Sequence, residues 1–428
     1  MARKTIKVDS LARVEGDGGL QVIMRNGALE SAQLRIFEPP RFFEALLRGR
    51  HFSEAPDITA RICGICPVAY QMSAIHAMEN ALGVQIDGAV RELRRLLYCG
   101  EWISSHVLHI VMLHAPDFLG CQSAIELARE HAPLLQQGLE LKKVGNQIVA
   151  VLAGRAIHPI NVRIGGFYRV PTKNEVRELR APVTAAREAA LELVRWSATL
   201  PYPDFERDYT FVALRHPQEY PLNSGRIVSN RGLDITADEY ESCFEECQVH
   251  HSSALHCHLD GATYLTGPLA RYTLNSDRLS PIAREAAASA GLGPVCRNPY
   301  RSIMVRCIEV LYACDEALRI ITAYEPPPRC TVPLEPRAAR ACAATEAPRG
   351  LLYHRYTLDG DGIIQAARIV APTSQNQGSI EADLAEFLRG HLSLPQFELR
   401  QHCEHLVRNH DPCISCAAHF LKLEVLSR

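Results

Sequence analysis

Nothing in this 428-residue chain is patterned to hold a nucleotide or an iron-sulfur cluster. No G-x-G-x-x-G follows a strand pattern, which excludes a dinucleotide fold of its own, and no G-x-x-x-x-G-K-[ST] is present to cradle phosphates. The cysteine run of a ferredoxin is also missing, so electrons released here would need another chain to carry them. No stretch of 18 apolar residues runs uninterrupted, which argues against a membrane span. A net charge of −2 leaves no basic footprint for nucleic acid or an anionic membrane surface. The segment from Met1 to Asp9 carries basic residues without the apolar stretch of a secretory signal, and the expected location is the cytoplasm. There is no internal repeat, low-complexity tail or linker, so one domain over 1–428 is expected.

Hydrophobic residues make up 47% of the chain, enough for a large core. Cysteine is abundant: there are 15, an odd number that rules out complete pairing within the chain. Most, such as Cys99, Cys307 and Cys314, stand singly in apolar segments and read as small buried hydrophobes of a reduced compartment. Four do not. Asp411-Pro412-Cys413-Ile414-Ser415-Cys416-Ala417-Ala418-His419 holds one C-x-x-C, and Arg61-Ile62-Cys63-Gly64-Ile65-Cys66 holds another near the opposite end of the chain. A zinc ribbon closes over roughly 15–20 residues. Pairs this far apart can meet only in a folded domain. Spacing alone leaves a structural zinc open, since closed four-cysteine sites are usually zinc. The company of Arg61, Asp411, His419, Arg349 and Thr373 is more polar than a zinc staple requires.

The pattern predicts strands at 5–10, 20–25 and 31–37, with Asn26-Gly27 as a hairpin turn. A helix starts near 41–44, and another starts with Pro67 at its first position, placing Cys66 at a helix N-terminus where the dipole favours thiolate. Long helices follow at 89–114, 123–152, 173–200 and 301–324, with an irregular or strand-like 201–236 and a helix at 237–249. A hairpin over 351–357 and 363–371 turns at Asp359-Gly360-Asp361-Gly362. Helices at 379–389 and 395–408 then deliver the chain to Cys413. The expected class is α+β, a bundle of long helices with small peripheral sheets. Its stretches are an N-terminal sheet region (1–60), a helical bundle (61–200), an irregular and helical part (201–350) and a hairpin with C-terminal helices (351–428).

Arg-x-Cys-Gly-x-Cys combined with Asp-Pro-Cys-x-x-Cys-x-x-His resembles the large subunit of nickel-iron hydrogenases. Arg13-Val14-Glu15-Gly16, Arg41-Phe42-Phe43-Glu44, Ser105-His106, Gly154 to Pro159, Glu346-Ala347-Pro348-Arg349-Gly350 and Pro372 to Asn376 fall in the family's order. The Pro-Arg-Phe-Phe-Glu and Cys-Pro-Val-Ala-Tyr variants look most like the cytosolic, bidirectional NAD(P)-linked type, that of the sulfhydrogenase alpha subunits. The resemblance implies reversible heterolytic cleavage of H2 at a nickel-iron centre whose iron carries carbon monoxide and cyanide. Cys63, Cys66, Cys413 and Cys416 would bind nickel, with Cys66 and Cys416 bridging to iron; thiolates suit such metals. Cys413 would accept the proton and Glu15 pass it to solvent; read without the motif, Glu15 is a surface carboxylate paired with Arg13. Arg349 would lie over the metals, held by Asp117 and Asp411, with Pro348, Thr373 and Tyr70 also against the centre. Glu44, His419 and the carbonyl of Ile369 would hold a magnesium-type ion.

The implied partners are a small subunit with iron-sulfur clusters and diaphorase subunits carrying iron-sulfur, FAD and NAD(P), with NADP the favoured acceptor. No cluster or flavin is expected in this chain. Two departures stand out. Tyr70 replaces a histidine common in the family, and a phenol can donate to a bridging sulfur without becoming cationic. Residues 420–428 follow His419, where a maturation endopeptidase cuts family precursors. The Cys243, Cys247, His250, His251, His256, Cys257, His258 segment lacks regular ligand spacing and is read as structural. Rival readings are a same-fold scaffold, which has lost the cysteines, and a zinc-stapled structural protein.

Overall fold

Residues 3–418 are described by a computed structural model, so the implied ligand His419 and the segment after it lie outside the described residues. Strands Arg3–Val8, Gly18–Arg25 and Ala28–Ile36 form an antiparallel meander. Its tight turn places both Asn26 and Gly27 at positive φ, the geometry that suits the twist of a two-residue hairpin. Alternation along the strands sends Ile6, Val8, Leu20, Val22, Leu34 and Ile36 to one buried face. That face packs on Ile380, Leu384 and Phe387 of the Pro372–His391 helix and on Leu399 and Leu406 of the Gln396–Asn409 helix.

The main core is helical, as expected. Helices Pro67–Leu82, Gly88–Val107, Ala132–Ala153, Arg180–Ser197 and Ser302–Ala323 bury one continuous apolar cluster. The run Gly88–Leu119 is long and apolar enough to cross a membrane, but most of it is buried inside the protein, as befits a core helix. It continues past Val107 through a wider turn at Leu108–His114 into Ala115–Leu119, where Pro116 cannot donate to the regular ladder. A third core joins the small sheet of Val212–Arg215, Arg226–Ser229 and Asp234–Ile235 to the antiparallel sheet Ala339–Ala347, Gly350–Leu358, Ile364–Val370. Helices plus small antiparallel sheets make the fold α+β.

Several boundaries differ from the sequence pattern for local reasons. The predicted 123–152 helix is two, Ala124–Glu130 and Ala132–Ala153, with Pro133 opening the second. The 237–249 helix is corrected: only Ala237–Glu239 and Tyr240–Cys243 are helical, and Phe244–Cys247 is a strand paired with His256–Leu259. Phe244 stacks on Tyr240 with ring centroids 4.3 Å apart, holding the chain extended beyond Cys243. Strand Ala339–Ala347 and helices Pro268–Asn275 and Pro281–Ser289 were not anticipated. The helix expected at 379 begins at Pro372, which brings Thr373 into its first turn beside Cys413.

Candidate metal centre

Two loops from opposite ends of the chain close on each other. The first leads into Pro67–Leu82, where Cys66 is the N-terminal flanking residue and Cys63 Sγ accepts the amides of Ile65 (3.3 Å) and Cys66 (3.4 Å). The second leads into the short helix Ile414–Ala417, flanked by Cys413 and carrying Cys416. Sulfur separations are 3.6 Å for Cys63–Cys413, 3.8 Å for Cys66–Cys416 and 2.7 Å for Cys413–Cys416, and all four sulfurs lie within 4.8 Å of one another. All four residues are buried. Hydrogen bonds from Cys413, Cys416 and Cys66 hold the Cys63 thiol well below its ordinary range, while burial pushes Cys413 well above it. A thiophilic cation displaces such shared protons when it binds.

Glu15 is not paired with Arg13. Its Oε2 accepts the Cys413 thiol at 3.1 Å and the Ser415 amide at 3.1 Å, and its carbonyl accepts the Ile414 amide at 3.0 Å. This parallel bridge between Glu15 and Cys413 is tight. A Cβ on Gly16, which sits at φ +88°, would come within 2.8 Å of Ile414 Cβ. Thr373 Oγ1 accepts the Cys413 amide at 2.9 Å.

Arg349 donates from Nε to the Asp411 carbonyl (3.0 Å) and from Nη2 to Asp411 Oδ1 (3.0 Å), while Nη1 is buried without a hydrogen-bond partner. Asp411 takes a left-handed φ of 50°, a conformation that costs a non-glycine residue energy and is found at functional sites. Burial works against the Arg349 charge, but Asp411 and the sulfurs of Cys413, Cys66 and Cys63 outweigh it. Arg349 is packed from behind, since a Cβ on Gly267 (φ +108°) would meet its carbonyl at 2.7 Å.

Asp117 does not hold Arg349, a correction to the expected arrangement. It bridges two other arginines, Arg13 (2.5 Å) and Arg408 (2.7 Å to each carboxylate oxygen). Burial alone would raise its pKa, but Arg408 and Arg13 hold it at about 2. The reason is positional: Asp117 lies in the first turn of the Ala115–Leu119 helix segment, where Arg408 of Gln396–Asn409 reaches it, while Asp411 already occupies two of the three Arg349 nitrogens. The Tyr70 phenol is fully buried, and burial with the charges of Cys416, Cys66 and Cys413 holds it far above its ordinary range. Pro348 offers its carbonyl to Arg271 at 2.8 Å. Glu44 Oε1 accepts the Ile369 amide at 2.7 Å, and burial pushes this carboxyl up to about 7.

One group near the sulfurs escaped sequence reasoning. Glu101 accepts the amides of Val68 (2.6 Å) and Ala69 (3.0 Å), satisfying the otherwise unpaired amides at the buried N-terminus of the helix that follows Cys66. Burial pushes its carboxyl up to about 8 against the pull of those amides. It lines a cavity of about 200 Å³ with Gly64, Ile65, Ser104 and Lys142. The sequence signal was a lone acid among Leu96, Leu97, Trp102 and Ile103, all of them buried.

Four buried sulfurs around one point suit a thiophilic metal, and the unspent Nη1 of Arg349 beside them suits small anionic ligands on that metal, which a structural zinc would not bring. Comparisons with known proteins agree. Residues 41–140 match the family model described as nickel-dependent hydrogenase. The chain is 30% identical to the alpha chain of sulfhydrogenase 1 from Pyrococcus furiosus, over 98% of each chain. It is 26% identical to the vhc F420-non-reducing hydrogenase of Methanococcus voltae, over 97% of this chain and 94% of the relative. A solved NAD+-reducing [NiFe]-hydrogenase in the H2-reduced state superposes with a TM-score of 0.87 at 25% identity, covering 97% and 99% of the two chains. With the sulfurs, the carboxylate and the guanidinium in place around one buried point, and a relative matched from end to end, the chain belongs to the nickel-iron hydrogenases as a catalytic large subunit.

Proposed function

We propose that the chain catalyses reversible heterolytic cleavage of H2 with Cys413 as the proton-accepting sulfur and Glu15 as its outlet. The contact that carries this reading is Cys413 Sγ to Glu15 Oε2 at 3.1 Å. Cys63, Cys66, Cys413 and Cys416 would together hold a nickel-iron centre, with Cys66 and Cys416 the sulfurs that would be shared with an iron carrying carbon monoxide and cyanide. That centre, when bound, supplies the binding and polarisation of H2.

The chain's own groups do the rest. The Cys413 sulfur holds a proton within hydrogen-bond reach of a carboxylate, the geometry that general acid–base transfer requires. Glu15 is half-buried, so it spans the distance between the dry sulfurs and the surface. Thr373 fixes the Cys413 backbone, and Asp411 orients Arg349 so that Nη1 is free for an anionic ligand. Tyr70 keeps a neutral hydroxyl beside the Cys416 sulfur. Asp117 acts at one remove, tying Arg408 and Arg13 beside the loop that carries Glu15.

A magnesium-type ion belongs with Glu44, the Ile369 carbonyl and His419; the raised, half-buried Glu44 carboxyl supports this, since a cation would relieve the cost of ionising it. Electrons leave through an iron-sulfur small subunit to diaphorase subunits that reduce a nicotinamide nucleotide, NADP before NAD, in the cytoplasm. The relatives are named as subunits and one structural neighbour is NAD+-reducing, which supports the partner subunits and a nicotinamide acceptor.

Glu15→Gln tests the proton route. The variant is expected to keep nickel and iron by elemental analysis, and the infrared bands of iron-bound carbon monoxide and cyanide, while losing H/D exchange. Full exchange in this variant would refute the route, and zinc without such bands in the native protein would refute the metal assignment. H2-dependent reduction of NADP+, NAD+ and a deazaflavin, compared in the purified complex, identifies the acceptor.

A further inference from the structure

The polar segment read as structural in the sequence contributes to a second cluster of metal-type ligands. One ring nitrogen each from His251 and His256 and a carboxylate oxygen of Glu381 lie within 4.8 Å of one another. His251 Nε2 is 2.7 Å from Glu381 Oε1, and the two imidazoles meet edge to face with centroids 5.6 Å apart.

The cluster sits where three elements join. Glu381 belongs to Pro372–His391, the helix whose first turn places Thr373 on the Cys413 loop. Its Oε1 also accepts the amide of Leu34 in the N-terminal sheet at 2.8 Å. The histidine loop is pinned to the same sheet by Ser253, whose amide and hydroxyl donate to the carbonyls of Ile36 (2.7 Å) and Glu38 (2.8 Å).

What points to a ligand is His256. It is 4% exposed, and its Nε2 is buried without a hydrogen-bond partner among the described residues, a costly state for a ring nitrogen. Burial also keeps this imidazole below its ordinary range and so neutral, the form that binds metals. His251 and Glu381 are partly open, which leaves room for water to complete a coordination shell.

We propose that His251, His256 and Glu381 bind a divalent cation of the zinc class, separate from the four-cysteine centre. Two imidazoles and one carboxylate suit zinc or cobalt rather than magnesium or calcium, which prefer oxygen alone. The ion would clamp the histidine loop and the N-terminal sheet onto the helix that carries Thr373.

Cobalt(II) tests this in the purified complex with its nickel and iron in place. About one cobalt per chain is expected beyond the nickel-iron centre, with d–d absorption but no sulfur-to-cobalt charge-transfer band, and with imidazole scattering in X-ray absorption. His256→Gln and Glu381→Gln should each lose that cobalt while keeping nickel, iron and H2 oxidation. Zinc should raise the Tm of the native complex and not that of the variants. Absence of bound cobalt, a thiolate band, or binding that survives in both variants, as at the Glu44 site, would overturn the proposal. Should the variants fail to fold, the cobalt stoichiometry and ligand scattering of the native complex decide it alone.

Discussion

Arg271 and Arg349 are both buried arginines, 0% and 3% exposed, and their guanidinium groups are spent differently. Arg271 donates from Nε and Nη2 to Glu309 (2.9 Å each), from Nη1 to Glu346 (2.9 Å), and from Nη1 and Nη2 to the carbonyls of Ala347 (2.7 Å) and Pro348 (2.8 Å). That uses all five of its donors, and its face lies 4.3 Å from the Trp102 ring as well. Arg349 has two nitrogens on Asp411 and one without a partner among the described residues. The saturated arginine is scaffold, and the unsaturated one is waiting for a ligand. They are joined in series, because the carbonyls that Arg271 grips immediately precede Arg349.

Substituting each arginine separates the two roles. Arg349→Lys keeps the charge but loses the planar fork, and its ammonium cannot hold Asp411 and a metal-bound anion together. Removal of one preorganised donor typically costs roughly 100-fold in turnover. The expected result is that loss in H2 oxidation, with metal content and Tm close to native; unchanged turnover would mean that the free nitrogen is incidental. Arg271→Met acts on stability first. It strands Glu309 and Glu346 in the core, and breaking a buried ion cluster from one side costs about 3–5 kcal/mol. A large drop in Tm, with reduced metal loading following from it, is expected by calorimetry. Native stability with lost activity would reverse the comparison.

The unsaturated site was the more legible of the two in the sequence. Cys63, Cys66, Cys413, Cys416, Glu15, Arg349, Asp411 and Thr373 stand in short motifs, and the structure brings them together. Such groups cannot be moved along the chain without losing the chemistry, so local pattern records them. Asp117 was legible as important but not as to its partner, because choosing among Arg13, Arg349 and Arg408 is a matter of helix placement. Arg271, Glu309 and Glu101 left little trace. A buried charge inside an apolar helix looks like an exposed one until the packing around it is known. The Phe244–Cys247 strand was misread for a similar reason, since its extended form depends on Tyr240 and on pairing with His256–Leu259.

The smallest expected effect lies within the saturated cluster, where one arginine serves two acids unequally. Burial raises the cost of ionising Glu309, but Arg271 outweighs it and holds this carboxyl at about 2. For Glu346 burial wins, and its carboxyl is pushed up to about 7 against the same arginine. The two therefore impose opposite pH dependences on folding. Glu309 contributes stability above the unfolded value near 4.5 that is lost as pH falls toward 2. Glu346 holds a proton in the folded state that the unfolded chain has already released, so its contribution is present below 4.5 and is lost as pH rises toward 7. The loss is on the order of 3 kcal/mol, from the size of that shift. Glu346→Gln removes the titration and keeps one acceptor oxygen, which can serve the Leu214 amide (now 2.7 Å from Glu346) or Arg271 Nη1 but not both. Between pH 5 and 8 the native protein should lose more stability than the variant, whose remaining slope belongs to other raised carboxyls such as Glu44 and Glu101. An identical slope in both would place the titrating group elsewhere, and the two acids would then share Arg271 equally.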